Sequence, residues 1–163
     1  MMFGFSALYH RVSWKPKVLG LMRRLDHSSI FMMIAGTFTP ICLLVLPMAT
    51  GKNLLMIIWV IAGLGILQSI IFTNMPRLLR ASFYLGAGYI AIPYMSVMSS
   101  FMGYTNFALT VAGGTIYSVG AISYGFKFPD ISPKYFGFHE FFHLLVCIAA
   151  ILHFIVIYSI VGS

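Results

Sequence analysis

Long apolar runs alternate with short polar punctuation along the whole chain, and each run has the length of a membrane-crossing helix. A bilayer core of about 30 Å takes about 20 apolar residues in an α-helix. Residues 28–48 form the first complete run, closed near Pro47 and by the turn-forming Thr50-Gly51-Lys52-Asn53. Residues 54–73 form the second, ended by Asn74-Met75-Pro76-Arg77. The third, 82–101, carries Gly86, Gly88 and Pro93 inside it, and the fourth, 107–124, carries Gly113, Gly114 and Gly120. Small residues of this kind let membrane helices approach closely, so packing is their first explanation. A loop with Pro129 and Pro133 leads to the fifth run, at about 138–161. Residues 1–10 are apolar but too short to cross alone, and they lack the basic start and small-residue cleavage site of a signal peptide. They are expected to be the end of a helix that begins outside this chain.

The predicted fold is therefore all-α: a polytopic transmembrane bundle of five complete spans plus a partial N-terminal helix, one domain over residues 1–163. Composition agrees, with 60% hydrophobic and 8% charged residues and a mean hydropathy of +0.96, far from the soluble globular average. A β-barrel would show short alternating segments, which are absent.

Charge gives the expected orientation. The first loop holds Arg11, Lys15, Lys17, Arg23 and Arg24; the second holds Lys52, the third Arg77 and Arg80, the fourth none, and the fifth Lys127 and Lys134. Basic loops stay in the cytoplasm. The first, third and fifth loops are thus expected inside the plasma membrane and the C-terminus outside. The net charge of +7 then reflects topology and attraction to anionic lipid, so the lipid bilayer rather than nucleic acid is the expected partner. Cys42 and Cys147 both fall within spans and read as small apolar packing residues, with no disulfide framework or cysteine-based zinc motif.

Against this background the polar residues are conspicuous. The chain has three acidic residues, and two of them, Asp26 and Glu140, adjoin histidines. Ionisable groups at membrane depth are costly and usually functional. The predicted topology brings His10, Asp26, His139 and His143 to the same leaflet from three helix ends. Residues four apart share a helix face, so His139 and His143 can aim two imidazoles at one ion, and Ser6 and His10 can act together. Three neutral imidazoles suit zinc, and a catalytic zinc site keeps a fourth position for water. His10, His139 and His143 are the expected ligands, with Asp26 beside the water. Asp26 also competes for an N-cap role, because it precedes Ser28 and Ser29 at the head of a long helix. His27 is expected to make structural contacts only. His153, ten residues past His143 and about 15 Å deeper, is expected to be a satisfied interior histidine. Asp130, between Pro129 and Ile131, reads as turn chemistry. Glu140 completes an H-E-x-x-H pattern, the zincin metalloprotease motif. Intramembrane proteases with that motif need a further acidic ligand downstream, and no Asp or Glu follows Glu140.

Ser6-Ala7-Leu8-Tyr9-His10, Arg24-Leu25-Asp26-His27-Ser28-Ser29-Ile30, Ala35-Gly36-Thr37-Phe38-Thr39-Pro40 and His139-Glu140-Phe141-Phe142-His143 together resemble the hemolysin III family. That family is the bacterial branch of the progestin and adipoQ receptors, which include the adiponectin receptors. The resemblance covers essentially the whole chain. It implies a seven-helix membrane protein with a cytoplasmic N-terminus and a zinc ion near the cytoplasmic face. By that likeness His10, His139 and His143 match the zinc ligands, Asp26 the aspartate that contacts the zinc-bound water, and Ser6 the serine of the S-x-x-x-H motif. The family's first helix and most of its second have no counterpart here.

The expected function is zinc-dependent hydrolysis of an amide or ester bond in a ceramide-like membrane lipid that reaches the site within the bilayer. Asp26 would act as base and later deliver a proton, and Ser6 would steady the developing oxyanion or the water. The alternative is a pore-forming or lytic protein with a structural metal. It ranks second, because structural zinc sites are normally closed by four protein ligands and the span interiors offer few polar residues besides Gln68 and His153. A signalling receptor ranks third. Assembly with further copies of the chain stays open.

Overall fold

A computed structural model describes residues 2–132 and 136–162. Met1 of the apolar N-terminal segment, and Pro133 and Lys134 of the fifth loop, lie outside the described residues. The described chain is helical almost throughout: α1 (Met2–Arg11), α2 (Pro16–Pro40), α3 (Met48–Ile71), α4 (Arg77–Tyr89), α5 (Met95–Phe101), α6 (Tyr104–Phe126) and α7 (Phe138–Val161).

Four helices are long and apolar enough to cross a membrane: α2 with its extension to Val45, α3, α6 and α7. Their outward faces are apolar too. Leu64, Ile151 and Phe154 are 61%, 58% and 64% exposed, a surface that suits lipid rather than water. The protein is an integral membrane protein.

Four of the five predicted spans coincide with these long helices, and the details differ in several places. Thr50-Gly51-Lys52-Asn53, read as a turn, is helical and lies inside the first turns of α3, which begins at Met48. The first span starts at Pro16, not near residue 28, because proline at the first helical position suits its fixed φ and missing N–H. Two polar turns bearing Lys17, Arg23 and Arg24 therefore belong to the helix. At its other end Pro40 lacks an N–H, and the chain widens into a π turn over Ile41–Val45. The third span, 82–101, is not one helix: α4 ends at Tyr89, a 3₁₀ turn carries Pro93 in Ile92–Tyr94, and α5 follows. The last prediction, 138–161, coincides with α7.

Helix α7 packs along α6, α2 along α3, and α1 against α2. The core contains Phe31, Ile41, Leu54, Ile58, Met98 and Val156. Glycine lets α3 meet α2 at Gly65, where a β-carbon would overlap the ring of Phe31. The Trp14 indole donates to the Leu8 carbonyl at 2.8 Å. That bond ties the α1–α2 connection back onto the last turn of α1, the turn that carries His10.

Candidate metal centre

His10 closes α1, while His139 and His143 occupy the first turns of α7. The three rings meet although 129 residues separate His10 from His139. His139 Nε2 lies 3.4 Å from His10 Nε2 and 3.1 Å from His143 Nε2, and one ligand atom from each ring falls within 4.8 Å of the other two. A tetrahedral zinc with bonds of about 2.0–2.1 Å holds its ligands about 3.3 Å apart. Two of the three separations match that edge. Hydrogen bonding alone serves the cluster poorly, because each neutral imidazole has one N–H and one lone pair. A shared cation accepts all three lone pairs at once.

Asp26 supplies the negative charge. Its carboxylate Oδ2 lies 4.0 Å from His10 Nε2, its only ion-pair partner among the described residues, and its side chain is 12% exposed. The Ser6 hydroxyl and the charge of Arg80 also steady this carboxylate. The three-imidazole donor set therefore fits a divalent metal, with a carboxylate close beside it. Asp26 does not cap its helix, which corrects the competing cap reading: Lys15 occupies that position. Ser29 does not cap it either, since its hydroxyl donates back to the Asp26 carbonyl at 2.7 Å. Ser6, one turn before His10, sits beside the Asp26 carboxyl.

Glu140 has another task. The Gly137 N–H donates to its Oε2 at 3.0 Å, so the carboxylate caps α7 and faces solvent. This position on the helix end takes it out of the role a zincin base would play. His27 stays outside the cluster and pairs through Nε2 with Arg80 Nη1 at 2.9 Å, the structural contact expected of it. His153 is buried and only half satisfied, which corrects the expectation: Nε2 meets the Thr110 carbonyl at 3.2 Å, whereas Nδ1 has no hydrogen bond among the described residues. Cys42 packs in the core, and Cys147 is exposed on α7. Asp130 lies in the exposed connection before α7, close to Gly137.

The histidines open into a cavity of about 760 Å³. Its lining includes Ser6, His10, Asp26, His139 and His143; the rest is mostly apolar, including Met33, Ile34, Phe38, Leu85, Met98 and Val146, with hydroxyls of Thr37, Thr110, Thr115 and Ser118 among them. His153 also lines it, about 15 Å along α7 from His143. Sequence reasoning missed the contribution of α4, which places Arg77, Arg80 and Tyr84 on the cavity. The available signal was their i, i+3, i+7 spacing, the mark of one helical face.

The chain matches the model of the family described as Haemolysin-III related over residues 1–154. It is 40% identical to Hemolysin-3 of Bacillus cereus over 124 residues, 75% of this chain and 55% of that protein. It is 36% identical to the Hemolysin-3 homolog of Bacillus subtilis (strain 168), over 75% of this chain and 57% of that protein. Similarity extends to the human Monocyte to macrophage differentiation factor, 27% identical over 97% of this chain and 65% of the relative. The chain thus spans a little over half the length of the bacterial relatives it matches. No solved structure matches it.

Proposed function

The chain belongs to the haemolysin-III-related family of membrane proteins, and from that membership and the site's geometry we propose that it is a zinc-dependent hydrolase of a lipid amide or ester. The observation that carries this reading is the meeting of three imidazoles beside a buried carboxylate on the lining of a mostly apolar cavity. Zinc held by His10, His139 and His143 would act as a Lewis acid and bring the pKa of a water to about 7.

The protein's own groups supply the rest. The apolar walls take the hydrocarbon part of a lipid and exclude bulk water from the carbonyl. Asp26 Oδ2 accepts a proton as the water oxygen bonds to the carbonyl carbon, then returns it to the departing nitrogen or oxygen as the carbonyl bond to that atom breaks. The Ser6 hydroxyl, beside Asp26, donates toward the carbonyl oxygen as charge collects there.

In the same reading α4, the 3₁₀ turn and α5 together make a fifth crossing, and the chain lies in the plasma membrane with the metal end cytoplasmic and the C-terminus outside. The arginines and lysines at the histidine end favour that orientation. The test is turnover and metal content of the purified protein. Asp26→Asn should retain zinc and lose hydrolysis of an acyl amide or ester; unaltered turnover would remove Asp26 as the base. Haemolysis that persisted in this variant without turnover would support lysis as the activity instead.

A further inference from the structure

The cavity carries more positive charge than the hydrolytic reading uses. Three arginines line the cavity, Arg23 from α2 and Arg77 and Arg80 from α4, and Asp26 is the only carboxylate among the lining residues. An arginine kept only for topology turns outward and snorkels to the membrane surface. Arg80 is buried against the cavity, and Arg23 and Arg77 are half-buried on its wall. Arg80 is 5% exposed, with Nη1 against His27 and Nη2 donating to the carbonyls of Thr73 and Met75 at 3.1 and 3.2 Å. Those bonds fix its charge in place without neutralising it. The Arg77 guanidinium carbon lies 5.4 Å from the Tyr124 ring centre and 5.0 Å from that of Phe138. Its Nη1 is buried and makes no hydrogen bond among the described residues. A guanidinium set against two aromatic rings, with an unused donor, in a pocket with excess positive charge, is suited to receive anionic oxygens.

We propose that Arg77, Arg80 and Arg23 form a headgroup subsite for a phosphate-bearing lipid. The inference rests on the hydrolase reading in one respect: it names that enzyme's substrate class as an acylated lipid with a phosphate headgroup. Phosphate fits better than carboxylate, because its additional oxygens can serve more than one guanidinium fork. A lipid fits better than free phosphate, because the cavity lining is mostly apolar and reaches His153, about 15 Å along α7 from His143. Inorganic phosphate would leave that length unfilled.

The test is equilibrium binding of a fluorescent short-chain phosphatidic acid to the full chain in neutral detergent, competed by unlabelled lipids. Phosphatidic acid should compete at least about tenfold better than diacylglycerol with the same acyl chains. Arg77→Ala should weaken binding roughly ten- to a hundredfold, the worth of hydrogen bonds to a charged group. Arg24→Ala, which removes an exposed arginine outside the cavity, should stay near the parent. Equal competition by diacylglycerol, or an Arg24→Ala loss as large as that of Arg77→Ala, overturns the subsite. Competition by inorganic phosphate as effective as by phosphatidic acid overturns the lipid assignment. Should Arg77→Ala not fold, Arg23→Ala gives the same reading from another helix. Because binding is read apart from turnover, selective binding without hydrolysis would sink the enzyme and keep the subsite, and hydrolysis without selectivity would do the reverse.

Discussion

Replacing Gly113 with alanine is expected to loosen the α6–α7 contact that carries the histidine pair. Gly113 is buried in α6 where it faces His153 of α7, and a β-carbon there would fall well inside contact with the imidazole Cδ2 and Nε2. The ring has little freedom to move aside. Its Nε2 is held at 3.2 Å by the Thr110 carbonyl, and its edge packs on Tyr117 with centroids 5.5 Å apart. Overpacking a close contact costs about 1–3 kcal/mol, and loss of the hydrogen bond adds about 1 kcal/mol. The expected total is about 2–4 kcal/mol. For a chain of 163 residues that converts to a fall in melting temperature of roughly 5–15 °C. Thermal unfolding in detergent micelles, followed by far-ultraviolet circular dichroism, measures it. His153→Ala should also destabilise alone, yet the double variant gives the new methyl room. Its loss should fall short of the sum of the single losses by about 1–3 kcal/mol. A Gly113→Ala protein that melts with the parent, or strict additivity in the double variant, would refute this account of the interface.

Three further outcomes follow from the same structure. Asp26→Asn should keep its zinc while hydrolysis falls by a factor of about 10² or more, read as turnover per metal ion; zinc lost along with turnover would make Asp26 a holder of the metal instead. Arg80→Met should lower the melting temperature by several degrees, because three polar partners lose their donor. Arg80→Lys should restore only part of that loss, since an ammonium cannot reproduce the planar fork. Glu140→Gln should leave zinc content and turnover near the parent, because the carboxylate serves the end of α7 rather than the cluster; a collapse of turnover with zinc retained would revive the zincin reading.

The membrane class and the histidine cluster were legible in the sequence for the same reason. Apolar length marks a span directly, and the alternation of basic loops puts separated residues at a common depth, so His10 could be assigned to the same end as His139 and His143. The start of α2 was less legible. Lys17, Arg23 and Arg24 look like loop residues by polarity, yet Pro16 begins a helix that carries them as two turns ahead of the apolar stretch. That shift moves Asp26 from a helix boundary into a helix interior. The break between α4 and α5 was signalled by Pro93, but an apolar count over 82–101 does not register backbone continuity; Gly86 and Gly88, read as packing residues, lie within α4 with open space where a β-carbon would stand. The placement of Arg77 and Arg80 on the cavity wall was hidden for a different reason. A charge count along the chain gives the side of the membrane, whereas the direction of a guanidinium depends on partners such as Tyr124 and His27 that lie far away in sequence.

The central claim is that one cation binds where α1 and α7 meet, and metal content of the purified full chain tests it most directly. Elemental analysis should find about one zinc per chain. His10→Ala, and separately His139→Ala with His143→Ala, should each abolish it while the helical circular dichroism signal persists. Zinc retained at the parent level after all three histidines are replaced, or no metal taken up by the intact chain in the presence of zinc, would contradict the account.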